Sequence, residues 1–216
     1  GSTCTATLSN AYTVTTTGTG VTLGAASLGI TYGKTVTVSV TPSAGYYISG
    51  ATCTNGYTVT NMTTGVGNTA AQTVTINNNS KTANSTCTFT ASNSYSVSMS
   101  GSNVTFGSTS LPIAYGSTTT VKLTPSTGYY LSSISCTNGY TITGVTTGTG
   151  ATGAQTITIK NNSNAKNSTC TATMSKTYTA SITGSGVTVG ASSLSIDYGS
   201  SKTVTVTPSS GYYLKS

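Results

Sequence analysis

The chain has 216 residues, a formal net charge of +7 and only 4% charged residues. Its basic residues are all lysines, histidine is absent, and Asp197 is the single acidic residue. Acid–base catalysis and zinc or calcium binding need several histidine, cysteine or carboxylate groups placed together. The composition therefore argues against an enzyme, and it predicts no catalytic residue, no metal and no cofactor.

The distribution of basic and apolar residues bears on partners. The eight lysines are scattered and arginine is absent, whereas nucleic-acid binders cluster basic side chains and read bases with arginine. No apolar run approaches the roughly 20 residues that span a bilayer. We therefore expect no nucleic-acid partner and no membrane insertion in this segment.

The sequence repeats itself with a period of 83 residues and without a gap. This offset relates Cys4 to Cys87 and Cys170, and Cys53 to Cys136. It predicts, in chain order, the closing strand of a preceding copy (1–10), a first copy (11–92), a second copy (93–175) and a truncated third copy (176–216). A unit of this size suits a small independent domain. Because both ends fall inside a copy, we expect the parent protein to be longer.

Apolar and polar residues alternate within each copy, as is typical of half-buried antiparallel strands. In the first copy a strand over 35–42 places Val36, Val38 and Val40 on one face. The closing strand places Cys87 and Phe89 on its apolar face, so we expect the cysteines to face the core. No helical period occurs. We predict an all-β fold of tandem small antiparallel β-sheet domains, arranged like beads on a string.

An Asn-Gly pair follows the cysteine strand in each complete copy, at Asn55-Gly56 and again 83 residues later. Asn-Gly favours a type I′ turn, the usual turn of a two-residue β-hairpin. We therefore predict a hairpin that joins a strand over 47–53 to a strand over 57–60, and its equivalent in the second copy.

Three cysteine bonding patterns are open. Pairing within copies joins Cys53 to Cys87 and Cys136 to Cys170, and leaves Cys4 unpaired. Pairing across copies joins Cys87 to Cys136 and Cys4 to Cys53, and the third pattern is free thiols. We favour pairing within copies because a small domain with a thin core benefits from its own crosslink. Disulfides persist in oxidising surroundings, which predicts an extracellular or cell-surface location.

A pair of adjacent tyrosines follows a glycine in every copy, and these pairs are the candidate ligand surface. The six residues are Tyr46, Tyr47, Tyr129, Tyr130, Tyr212 and Tyr213. Tyrosine rings stack on sugars and offer hydroxyls. Because adjacent residues in a strand face opposite sides, we favour a reading in which one tyrosine of each pair belongs to the core.

Asn-x-Ser/Thr sequons are also frequent, and in a chain this rich in Asn, Ser and Thr most are expected by chance. They begin at Asn61, Asn78, Asn84, Asn103, Asn161 and Asn167.

The segment from Tyr32-Gly33 through Pro42 to Gly45-Tyr46 returns in all three copies. With the opening strand and the closing strand of alternating Thr and apolar residues, it resembles the internalin-type B-repeat family over nearly the whole chain. The resemblance implies a small β domain used as a repeated spacer or adhesive module of bacterial surface proteins. Two features differ: the family's Gly-Trp pair is replaced by residues 48–53, and acidic residues are nearly absent. We hypothesise that the cysteine pair takes over the anchoring role of that tryptophan.

These observations predict a structural stalk or fibre segment of a cell-surface or secreted repeat protein, with no enzymatic activity. One alternative is an adhesin array that binds host glycans or proteins through repeated tyrosine-rich faces. Another is a filament subunit that self-associates through exposed sheet edges.

Overall fold

The computed structural model describes residues 1–215, which form twenty β-strands and no helix. The all-β prediction is confirmed. Eight strands lie in the first copy: β1 (Ala11–Thr19), β2 (Val21–Leu23), β3 (Ser27–Thr31), β4 (Thr35–Pro42), β5 (Tyr47–Cys53), β6 (Thr58–Thr60), β7 (Gln72–Asn77) and β8 (Ser85–Ser92).

The second copy has the same eight strands. They are β9 (Ser94–Ser100), β10 (Val104–Phe106), β11 (Ser110–Ala114), β12 (Thr118–Pro125), β13 (Tyr130–Cys136), β14 (Thr141–Thr143), β15 (Gln155–Lys160) and β16 (Ser168–Ser175). The third copy contains four: β17 (Thr177–Ser181), β18 (Val187–Val189), β19 (Ser193–Asp197) and β20 (Val206–Pro208). Residues 1–10, predicted as a closing strand, are exposed and form no strand in the structure.

Each complete copy has two four-stranded sheets. In the first copy the cysteine sheet has the order β3-β1-β8-β5, and the opposite sheet has the order β2-β4-β7-β6. The second copy repeats both orders as β11-β9-β16-β13 and β10-β12-β15-β14. The third copy has only the two-stranded sheets β17-β19 and β18-β20.

The two sheets of a copy enclose one apolar layer. In the first copy the layer joins Val14, Ile48 and Phe89 from the cysteine sheet to Val40 and Val74 from the opposite sheet, all with no exposed surface. The polar partners of these residues along each strand face solvent, because successive side chains of a strand point to opposite faces. Burial of the alternating apolar residues therefore positions the strands.

The first and last strands of a copy pair in parallel, which the antiparallel prediction did not include. Val14 lies beside Ser85, and the register continues to Thr19 beside Thr90. The second copy pairs β9 with β16 in the same way. A parallel pair requires a long connection, and here the other six strands of the copy supply it. The first residue of β1, Ala11, and the last residue of β8, Ser92, therefore lie at opposite ends of this strand pair.

The predicted hairpin between β5 and β6 is wrong, although the turn itself forms. Asn55 and Gly56 have φ angles of 54° and 76°, and the Tyr57 amide donates to the Thr54 carbonyl at 3.2 Å. However, β5 pairs with β8 and β6 pairs with β7, so the turn carries the chain from one sheet to the other. The side chain of Tyr57 is buried in the core. Its burial between the sheets accounts for the change of sheet.

Very little chain separates consecutive copies. β8 ends at Ser92 and β9 begins at Ser94, so Asn93 alone lies between them. Lys176 holds the same position between β16 and β17. The closing strand of one copy therefore leads almost directly into the opening strand of the next.

Candidate functional site

Both complete copies contain the within-copy disulfide. Cys53 bonds to Cys87, and Cys136 bonds to Cys170, each across 34 residues of sequence. Cys4 is exposed and unbonded. In each copy the two cysteines are direct register partners of the neighbouring strands β5 and β8, or β13 and β16. Alternation along these strands places both sulfurs on the inner face of the cysteine sheet.

The disulfide lies beside the parallel strand pair. Cys87 has no exposed surface, and its register partner on the other side is Thr16 of β1. Strand β8 is thus hydrogen-bonded to the opening strand on one side and crosslinked to β5 on the other. On the outer face, the hydroxyls of Thr17 and Thr88 lie 3.1 Å apart and form a further link between β1 and β8.

In the first and third copies, the first tyrosine of the Gly-Tyr-Tyr motif packs on its own copy. The ring of Tyr46 covers Gly20, where an added Cβ would lie 2.9 Å from the ring. In the third copy Tyr212 covers Gly186, with a corresponding distance of 2.8 Å. These rings fill the space above a glycine of the loop that follows the opening strand.

The second tyrosine packs on the following copy. The ring of Tyr47 meets that of Tyr95 edge to face, with centroids 5.4 Å apart, and its hydroxyl donates to the Ser94 carbonyl at 2.9 Å. The next junction repeats this arrangement, with Tyr130 and Tyr178 centroids 5.3 Å apart. There the Tyr130 hydroxyl donates to the Thr177 carbonyl at 2.9 Å. In the first copy the two tyrosines of the motif therefore divide their contacts between two copies.

Tyr95 is the most enclosed tyrosine of the first junction, with 2% of its surface exposed. Its hydroxyl lies within hydrogen-bonding distance of the Gly45 carbonyl in the first copy, at 3.2 Å, and of the Asn164 carbonyl in its own copy. Burial raises the pKa of the Tyr95 hydroxyl, and the adjacent Tyr47 raises it further. The hydroxyl therefore stays protonated and able to donate at neutral pH.

The tyrosine pair of the third copy is open. Tyr212 and Tyr213 are 66% and 83% exposed, and no copy follows them in this sequence. The ligand-surface prediction for the six tyrosines stays a prediction. In the two complete copies the four rings are half-buried in the contacts described above.

Charge is sparse at the surface. Lys176 and Asp197 form an ion pair at 3.4 Å, and the ammonium of Lys81 lies 5.3 Å from the ring centre of Tyr32. A hydrogen bond from the Thr177 hydroxyl lowers the pKa of the Asp197 carboxyl, and Lys176 lowers it further. Residues 1–215 contain no group of three metal-ligating side chains.

Two further properties concern partners. No helix with the length and apolar character to cross a bilayer occurs in the described part of the chain. One open concavity of about 440 Å³ lies in the second copy, lined by Ser and Thr residues with Gly101, Asn103, Ala172 and Met174. It holds no titratable side chain, so it offers no group for acid–base chemistry.

Two of the six sequons are buried. Asn78 and Asn161 are 1% and 0% exposed, and the Asn78 side-chain oxygen accepts a hydrogen bond from the Ser80 amide. Both asparagines therefore belong to the turns that follow β7 and β15. The remaining four sequon asparagines are exposed.

The chain matches no protein-family model, no curated protein and no solved structure. The resemblance to the B-repeat family therefore stays an expectation.

Sequence reasoning identified the tyrosine pairs but missed the residues they contact. Tyr95, at the start of the second copy, and Tyr115, after its third strand, both lie against the first copy. A signal was present, because both tyrosines recur at the 83-residue offset. The 83-residue period alone does not show whether a recurring residue packs within its own copy or against the neighbouring copy.

Proposed function

We propose that this chain is a segment of a structural stalk or fibre, in which disulfide-stabilised copies act as a load-bearing spacer. The observation that carries the proposal is the parallel pairing of the first and last strands in each complete copy. The resemblance of the repeat to spacer modules of bacterial surface proteins agrees with this role. No catalytic step forms part of the proposal.

The direction of the strands determines how a copy responds to tension. A pull on Ala11 and Ser92 acts in opposite directions along β1 and β8, because the strands are parallel and their outer ends lie at opposite ends of the pair. All hydrogen bonds between the two strands are then loaded together, in shear. A hairpin pulled at its open end would instead lose its bonds one at a time. The parallel arrangement suits a domain that must stay folded under load.

The disulfide adds a limit to extension. If β1 separates from β8, the chain outside the crosslink can extend, but the 34-residue interval from Cys53 to Cys87 remains closed. An extended chain spans at most about 3.6 Å per residue, so the bond withholds about 120 Å per copy. A stalk in an oxidising environment would therefore lengthen only partly before the crosslink carries the load.

An extracellular or cell-surface location is part of the proposal. Two disulfides within an 82-residue and an 83-residue copy are compatible with oxidising surroundings, where such bonds persist. Residues 1–215 contain few charged groups for ion pairs and no group of three metal-ligating side chains. The disulfide is therefore the covalent support of the thin core in each complete copy.

Single-molecule force spectroscopy on the full chain tests this proposal. With attachment points at Ala11 and Ser92, we expect the first copy to unfold at a distinctly higher force than with attachment points at Ala11 and Thr31. The second geometry is the matched control, because Ala11 and Thr31 are paired across antiparallel β1 and β3 and would separate bond by bond. Under reducing conditions, the extension of the first geometry should increase by about 120 Å.

Equal unfolding forces in the two geometries would contradict the load-bearing role. An extension that does not depend on reductant would contradict the limiting role of the disulfide.

A further inference from the structure

The Gly-Tyr-Tyr turn of one copy is complementary to two tyrosines of the next. Besides the contact between Tyr47 and Tyr95, the ring of Tyr115 lies directly over Gly45, where an added Cβ would come closer than 3.0 Å to the ring. The second junction places Tyr198 over Gly128 in the same way. The contact therefore recurs at both junctions of the chain.

Two independent requirements select glycine at this turn. Gly45 and Gly128 have φ angles of +81° and +80°, which L side chains rarely adopt. The ring from the following copy also occupies the space that any side chain would need. By contrast, Gly33 has a φ of +69° and no atom within 4 Å of its added Cβ. The backbone conformation alone accounts for glycine at position 33, whereas glycine at position 45 also makes room for the ring of Tyr115.

The junction completes a core. Tyr47 belongs to the first copy by sequence but packs against the buried cluster of the second copy, which includes Tyr95 and Val97. Part of the second core is therefore supplied by the first copy.

We propose that this junction couples each copy to the one that follows it, so that neighbours hold a fixed orientation and support each other's folded state. In the second copy the surface that recognises the partner consists of Tyr95 and Tyr115, and its partner is the Gly-Tyr-Tyr turn of the preceding copy. In repeat proteins, stability of this kind is the sum of each unit's own stability and a nearest-neighbour interface. The biological purpose of this coupling rests on the proposed spacer role, but the coupling itself is tested by hydrogen exchange and not by pulling.

Hydrogen exchange measured by mass spectrometry tests the coupling separately in each copy. In the full chain, Tyr47→Ala removes a side chain of the first copy, and we expect the buried strands β15 and β16 of the second copy to exchange about 5- to 30-fold faster. Tyr213→Ala is the matched control, because within these 216 residues it removes the equivalent tyrosine at a position that is 83% exposed and contacts no further copy. It should leave exchange in the second copy unchanged.

A second pair of variants distinguishes loss of the junction contact from general destabilisation of the first copy. Gly45→Ala and Gly33→Ala impose similar backbone strain on the first copy, but only Gly45→Ala displaces Tyr115. We expect Gly45→Ala alone to speed exchange in the second copy, and Tyr115→Ala to reduce this difference when the two changes are combined. If Tyr47→Ala and Gly45→Ala changed exchange only within the first copy, the coupling would be overturned. The shear geometry of β1 and β8 would stand, because the pulling experiment measures it independently.

Discussion

Phe89 of the first copy and Ala172 of the second occupy equivalent positions 83 residues apart, and both are buried on the inner face of the closing strand. Phe89 belongs to one continuous apolar cluster. In the second copy Ala172 lies in a small group of buried residues that shares Phe106, Ile134 and Val145 with the larger buried group, and it also lines the open concavity. The phenylalanine ring of the first copy is therefore replaced in the second copy by a methyl group beside an open concavity.

Phe89→Ala should destabilise the first copy by about 3–5 kcal/mol, because truncating a fully buried phenylalanine removes packing and leaves a cavity. Hydrogen exchange of β4 and β7 in the full chain would measure the loss. The control is Phe106→Ala in the second copy, a half-buried position where a smaller loss is expected. An equal effect at both positions would contradict the role of Phe89 at the centre of its core.

Replacing both Cys53 and Cys87 by Ser should lower the free energy of unfolding by about 4 kcal/mol, the chain-entropy value for a loop of this length. Thermal denaturation followed by circular dichroism would measure it. Cys4→Ser is the control, because Cys4 is exposed and unbonded and its replacement should have no effect. A melting temperature of the double variant equal to that of the native chain would mean that the bond does not support the fold.

High pH should destabilise the second copy. Burial raises the pKa of the Tyr140 hydroxyl from 10.0 to about 12, and the nearby Tyr95 adds to the rise. The folded chain therefore holds this proton more tightly than the unfolded chain does. Stability is intact below pH 10 and declines as the pH rises from about 10 to about 12.

Urea denaturation across this pH range would measure the decline. Tyr140→Phe should make the free energy of unfolding fall less steeply with pH between about 10 and 12. At neutral pH the same variant loses the hydrogen bond to the Lys166 carbonyl, which contributes about 1 kcal/mol. Tyr32→Phe, at an exposed position, serves as the control and should leave the slope unchanged. A slope that Tyr140→Phe does not alter would assign the alkaline loss to other groups.

Two glycines of the first copy should respond to alanine in opposite directions. Gly29 lies in β3 with ordinary φ and no atom within 4 Å of an added Cβ, so Gly29→Ala should stabilise by about 0.4–1 kcal/mol through the unfolded state. Gly56 also has open space but a φ of +76°, so Gly56→Ala should destabilise by about 1–2 kcal/mol. Chemical denaturation of the two variants measures both effects. Destabilisation by Gly29→Ala would contradict the open environment of that position.

The sequence predicts the strand class and the inner faces well, because alternation is a local property. Val38, Val40 and Phe89 are buried as their spacing requires. The two disulfides also form in the pattern that a thin core favours. Each of these features depends on residues within one copy, and in the case of alternation within one strand.

The pairing of strands and the contacts between copies could not be predicted in the same way. Asn55 and Gly56 specify a tight turn, but they do not specify which neighbour the next strand will join. Burial of Tyr57 between the sheets decides that choice. Likewise, nothing local to Tyr47 indicates that its partner Tyr95 lies in another copy. Both outcomes depend on packing among segments that are distant in sequence.

The single residue between β8 and β9 has a consequence for how such a protein can change in size. Because successive side chains of a strand alternate between faces, inserting one residue at Asn93 would turn the inner face of β9 outward relative to the tyrosine contacts that precede it. Deleting Asn93 would do the same. One residue more or fewer at this position would therefore misalign the tyrosine contacts, whereas the chain can gain or lose whole 83-residue copies without disturbing them.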